Sequence, residues 1–168
     1  MTHSDRYMSR LRWNGSTAAG YESYEREHRV VVPPATTELR LSSDAAFHGD
    51  ADLPNPEQLL VASTSSCQLL MFLAMAARSR VEVLEYQDDA EAVMPGDQLP
   101  MRITQVTLRP WIVVAAGTNL DRVRRLVDRA HDSCYIANTV NAEIVLEPTI
   151  EHATEDAVPQ PARAGQTS

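Results

Sequence analysis

Apolar and polar positions alternate at the start of the chain. Tyr7, Leu11 and Trp13 share one parity and Arg10 and Arg12 the other, the two-residue period of a half-buried strand that ends at Asn14-Gly15. Residues 16–27 keep no clean period. Two further strands are expected at 29–32 and 37–42, separated by Pro33-Pro34, with Leu39 and Leu41 on one face of the second and Glu38 and Arg40 on the other. After a loop at 44–55, a run without Gly or Pro, rich in Leu, Ala and Met, extends from Pro56 to about Arg80. Asn55 as N-cap, Pro56 at the first helical position and Glu57 in the first turn are helix-start signals. Residues 81–93 and 101–114 then predict a strand pair joined by Met94-Pro95-Gly96-Asp97, with a bulge or an edge at Pro110. Asn119 caps a second expected helix, in which Leu120, Val123, Leu126, Val127, Ala130 and Cys134 recur at the spacing of one helical face. Val140, Ala142, Ile144 and Leu146 alternate as a last strand. The predicted order is βββ-α-ββ-α-β, an α+β domain over residues 1–150. Residues 151–168, with Pro159, Pro161 and Gly165, are expected to be a flexible tail.

Composition narrows the function. A chain of 168 residues with 43% hydrophobic positions can bury one core of ordinary size. Its formal net charge is -8, its basic residues are all Arg, and no basic run interleaved with aromatics occurs, so a phosphate backbone is not an expected partner. No apolar stretch is expected to reach the roughly 20 residues that span a bilayer, and residues 1–5 lack the order of a secretory signal. A cytoplasmic location with no membrane association is the expectation. Two Cys are too few for a disulfide scaffold, and reducing cytosol keeps them as thiols at rest.

Cysteine chemistry requires the thiolate. Cys67 follows Ser63, Thr64, Ser65 and Ser66, poor helix interior but good caps; if the helix restarts there, Cys67 lies in a first turn, where free N–H groups favour the anion. The commoner reading of a Cys among Leu, Met and Ala is a small core residue, and the same holds for Cys134 beside His131. Motif context changes that balance. Asn55-Pro56-Glu57-Gln58-Leu59-Leu60, then Ser66-Cys67, then Ala130-His131-Asp132-Ser133-Cys134-Tyr135-Ile136-Ala137-Asn138 resemble the signatures of the OsmC/Ohr family (osmotically induced protein C and organic hydroperoxide resistance proteins). Trp13-Asn14-Gly15, residues 21–28 and Phe47-His48-Gly49-Asp50 agree with one branch of it.

That resemblance, over about residues 7–150, implies an OsmC-like fold with two central helices packed with antiparallel sheets in an intertwined homodimer. It implies a peroxidase in which Cys67 attacks the hydroperoxide, becomes a sulfenic acid and condenses with Cys134. A lipoyl-type dithiol or lipoylated protein is the implied external reductant, and no bound cofactor is implied. The family activates its thiol with an Arg held by a Glu. Glu57 carries over directly; the Arg falls in a loop unlike the family's short turn, with Arg26 as first candidate and Arg29 as second. A helical ruler puts Glu57 and Cys67 about 80° and about 15 Å apart on one straight helix. Either the helix breaks near residues 63–66, or Glu57 serves a site through the partner subunit.

Other candidates are weaker. His131 and Cys134 have zinc-ligand spacing on one expected helix face, but a structural zinc site needs four ligands. His28 and His48 are isolated, Glu85, Asp88, Asp89 and Glu91 read as a solvated face, and Arg122, Arg124, Arg125 and Arg129 as helix surface. The alternative to an enzyme is a binding or redox-sensing protein on the same fold, with a cleft near Leu70, Met71 and Tyr135.

Overall fold

Asn55 and Gln58 open the long helix by reciprocal capping: the Gln58 N–H donates to Asn55 Oδ1 at 2.8 Å, and the Asn55 N–H to Gln58 Oε1 at 3.0 Å. The structure is a computed structural model and describes residues 5–154. Its contacts divide the chain between Leu60 and Val61 into two compact units.

In the first unit, β1 (Arg10–Arg12), β2 (His28–Val31) and β3 (Glu38–Leu41) form an antiparallel meander with Leu11 opposite Val30 and Val30 opposite Leu39. A 3-10 turn, Ala45–Phe47, follows, with the Ala46 N–H donating to the Asp44 side chain. Gly49 is required by a close approach, since a Cβ there would lie 1.7 Å from the Ser43 carbonyl oxygen.

The helix α1, Pro56–Arg78, runs from the first unit into the second and is unbroken. The restart considered near residues 63–66 does not occur: Cys67 sits in mid-helix, away from the free N–H groups of a first turn. The expectation that no stretch approaches membrane-spanning length is also corrected. Among the described residues, α1 is long and apolar enough to cross a membrane by length and composition, because its Leu, Ala, Met and Phe outweigh the hydroxyl run in the average.

The two expected middle strands are four. β4 (Val83–Asp88) and β5 (Glu91–Val93) form one arm of a bent hairpin, and β6 (Gln105–Leu108) and β7 (Pro110–Val114) the other; β4 pairs with β7 and β5 with β6, antiparallel. The bend falls at Pro110, which has no N–H for a ladder, and the preceding Arg109 N–H donates to the Asp88 carboxylate at 2.7 Å instead. The second helix, α2 (Leu120–Asp132), is capped by Asn119 as expected and buries Val123, Leu126, Val127 and Ala130. It ends sooner than expected, so Cys134 and His131 do not share a helix face: Ser133 closes the helix and Cys134 lies in the turn beyond. The last strand is also two, β8 (Glu143–Leu146) parallel to β6 and β9 (Thr149–His152) parallel to β7. Glu151 and His152, assigned to a tail from the sequence, therefore close a sheet; the expected tail from residue 155 on lies outside the described residues. Phe72 and Ala76 of α1, Ile112 and Val114 of β7 and the buried face of α2 make up the core of this unit.

Candidate active site

The two thiols meet in the second unit. Cys67, half-buried on α1, and Cys134, 1% exposed beyond α2, are both free cysteines, and the Cys134 thiol is within hydrogen-bond reach of Cys67. Burial first, and that hydrogen bond second, hold the Cys134 pKa above the ordinary thiol value; backbone N–H groups of Ala137 and Ile136 at its sulfur pull the other way. Cys134 therefore keeps its proton at neutral pH.

Two polar residues brace this pair. Gln68, next to Cys67 and 1% exposed, donates its amide N–H to the Val127 carbonyl of α2 at 3.1 Å, tying the two helices together beside the thiols. Ser65 donates its hydroxyl to the Asp88 carboxylate. Asp88 thus joins α1 to the bend of the hairpin, a structural use of the acidic stretch that was read as solvated. The His131 Nδ1 is buried with no hydrogen-bond partner among the described residues, and no cluster of three or more metal-ligating side chains occurs among them.

In the first unit, Arg26 is 8% exposed. Its guanidinium donates to the carbonyl oxygens of Tyr24 and Tyr21 and lies 4.0 and 5.0 Å from the centroids of the same two rings. Trp13 meets Tyr24 edge-on at 6.4 Å and donates its indole N–H to the Glu25 carbonyl at 2.8 Å. Arg26 and Glu57 line one pocket of about 450 Å³ with Trp13, Tyr24, Phe47 and Asp44. They form no ion pair with each other; Arg26 is held by backbone and aromatic faces. Arg29 lies elsewhere, exposed on β2 and paired with Glu38 at 2.8 Å. His28 and His48 are engaged structurally, His28 Nδ1 with the Arg26 carbonyl at 3.0 Å and His48 Nε2 with Glu22 at 3.0 Å.

The model of the OsmC-like protein family matches residues 49–149, more than half of the chain and including both cysteines and Glu57. The chain belongs to that family. An OsmC-like protein of unknown function from Vibrio cholerae is 25% identical, with a TM-score of 0.79 over 87% of this chain and 100% of that one. An organic hydroperoxide resistance protein from Elizabethkingia anophelis shares the fold at 17% identity, with a TM-score of 0.66 over 91% of this chain and 100% of that one. The uncharacterized protein YmaD of Bacillus subtilis is 24% identical over 66% of this chain and 77% of its own length. In this OsmC-like chain the expected α+β architecture is present, with two helices and several sheets.

Nothing in the local pattern marks Gln68 as a tie between helices. The available signal is its place in the series Thr64, Gln68, Phe72 and Ala76, the residues that α1 buries at four-residue spacing.

Proposed function

We propose that this protein is a cysteine-based peroxidase that reduces organic hydroperoxides, and hydrogen peroxide less well, in oxidative stress defence in the cytoplasm. The observation that carries the reading is the contact between Cys67 and Cys134, two free thiols brought together from mid-α1 and from the turn beyond α2. In the first step the Cys67 thiolate attacks the terminal peroxide oxygen. An S–O bond forms, the O–O bond breaks, and the alkoxide leaves and takes up a proton as the alcohol. The sulfur is oxidised by two electrons to a sulfenic acid. Cys134 then attacks that sulfur: the S–S bond forms, the S–O bond breaks, and hydroxide departs with the proton given up by Cys134, as water. An external dithiol, of the lipoyl type by resemblance, reopens the disulfide by exchange and is itself oxidised.

Arg26 and Glu57 are assigned to thiolate activation and orientation of the peroxide. The unbroken α1 supports a site shared across a homodimer, because Glu57 and Cys67 are ten residues, about 15 Å, apart on one helix. The support for Arg26 over Arg29 is the pocket that it shares with Glu57.

Intact-mass spectrometry after one equivalent of cumene hydroperoxide, with and without dimedone, tests the roles of the thiols. The wild type is expected to lose both thiols at once and regain them with dihydrolipoamide. Cys67→Ser is expected to abolish the reaction, since a serine hydroxyl is not ionised at neutral pH. Cys134→Ser is expected to consume one equivalent and trap dimedone on Cys67, with excess peroxide driving it to the sulfinic acid. An adduct in Cys67→Ser but not in Cys134→Ser would reverse the roles. No thiol loss in the wild type would replace the peroxidase by a binding or sensing protein.

A further inference from the structure

The antiparallel meander of the first unit has two faces of opposite character. Leu11, Val30 and Leu39 stand opposite one another on one face. On the other, Arg12 is opposite Arg29 and Arg29 opposite Arg40, so three arginines form one row across the sheet. Arg10, opposite Val31, begins the next row. All four arginines are exposed. Like charges directly opposite in a sheet are destabilising, and two carboxylates offset them in part. Glu27 accepts from Arg40 through both its oxygens, at 2.8 and 2.7 Å, and Glu38 accepts from Arg29 at 2.8 Å. Arg10 and Arg12 have no hydrogen-bond or ion-pair partner among the described residues. A positive surplus thus stands on this face of a chain whose net charge is -8. The face is also concave: Arg10, Arg12 and Arg29 line a cleft of about 490 Å³ with Asn14, Val31 and Glu38. A cleft of that size suits a small ligand.

We propose that this cleft is a binding site for a small polyanion carrying two or more phosphate or carboxylate groups. Arg10 and Arg12, two residues apart on one strand face, leave the strand about 7 Å apart, so each takes a separate anionic group of the ligand. The planar guanidinium fork offers two parallel N–H donors to the oxygens of such a group. Arg29, across from Arg12, adds positive potential, and Asn14 adds a neutral donor. A bound anion relieves the repulsion along the row of Arg12, Arg29 and Arg40, so binding stabilises the sheet. The site uses neither thiol and stands apart from the peroxidase reading. It is invisible as a basic run in the sequence, because strand register brings Arg10, Arg12 and Arg29 together.

Isothermal titration of the full chain at low ionic strength, with pyrophosphate and with citrate, tests the site. Each is expected to bind saturably below about 1 mM, to weaken as salt is raised and to raise the thermal midpoint. The tighter of the two names phosphate or carboxylate as the group preferred. Arg10→Gln and Arg12→Gln are each expected to weaken binding about tenfold or more, the effect of losing hydrogen bonds to a charged group. Arg12→Lys is expected to recover only part, since an ammonium lacks the planar fork. Without ligand, Arg12→Gln is expected to unfold in urea no earlier than wild type, because it removes one charge from the repelling row. If it does unfold earlier, Arg10→Gln, outside that row, is read in its place. Arg124→Gln, on the exposed surface of α2, makes the same change in net charge and is expected to leave binding within about twofold. Lack of saturable binding by both polyanions, or an equal loss in Arg124→Gln, overturns the inference. So does binding of poly-glutamate or single-stranded DNA without binding of either small anion.

Discussion

Tyr86 carries a hydroxyl that is buried with no hydrogen-bond partner among the described residues, while its ring lies 5.9 Å from that of Phe72. A buried hydroxyl without a partner is unfavourable, and its ring already supplies the packing. Tyr86→Phe is therefore expected to leave stability unchanged or raise it by up to about 1 kcal/mol in urea denaturation at neutral pH. The pH dependence has a definite sign. Burial first, and the Asp88 charge second, raise the Tyr86 pKa above its ordinary 10.0. A raised folded-state pKa contributes stability that is present below the unfolded value and is lost as pH rises through the folded value. Wild type should thus lose stability above about pH 10 more steeply than Tyr86→Phe. Parallel curves for the two proteins up to about pH 11 would show that the hydroxyl is solvated. Cys134 adds a loss of the same sign, present in both proteins, from its raised thiol pKa.

At the scale of the element, α1 is apolar on several faces but buries within the chain only the stripe Thr64, Gln68, Phe72 and Ala76. Gln68 is polar in that stripe, so its role divides into filling space and tying α1 to α2. The two parts separate by substitution. Gln68→Ala removes both and is expected to destabilise by about 2–3 kcal/mol. Gln68→Met keeps the volume and removes an amide whose Oε1 has no partner among the described residues, so a change within about 1.5 kcal/mol is expected. Denaturant midpoints decide it: equal losses for the two variants would make the hydrogen bond to Val127, and not packing, the main contribution.

At the scale of the molecule, the remaining faces of α1 require a cover. Its most apolar window is 22% buried within the chain, and Leu70 is 64% exposed. Exposed apolar surface of this extent on a helix marks a contact with another surface, and in the homodimer proposed above a second copy would supply it. Sedimentation at micromolar concentration is expected to give a dimer, and Leu70→Glu is expected to shift the distribution toward monomer by burying a charge in the contact. A folded wild-type monomer would remove the second copy as the cover, and with it the shared site.

The element order was largely legible along the chain, because strands and helices announce themselves by local periods and caps: Asn55 and Asn119 both cap as their positions predict. The thiol pair and Glu57 were legible only through motifs, since a Cys among apolar neighbours reads locally as core. Pro110 was legible as a bulge or an edge, but its role as the bend of the hairpin and two further features were set by long-range contacts. The hairpin bends at Pro110 because a side chain from the opposite arm replaces the missing ladder bond. Residues 149–152 become a strand because β7 offers a free edge, although alone they are mostly polar and follow Pro148. The thiol of Cys134 is held by burial and by Cys67. The sequence by itself determined which residues are candidates for the proposed chemistry; tertiary structure decided which of them meet, because electrostatics and hydrogen bonding act over a few ångströms and ignore separation along the chain.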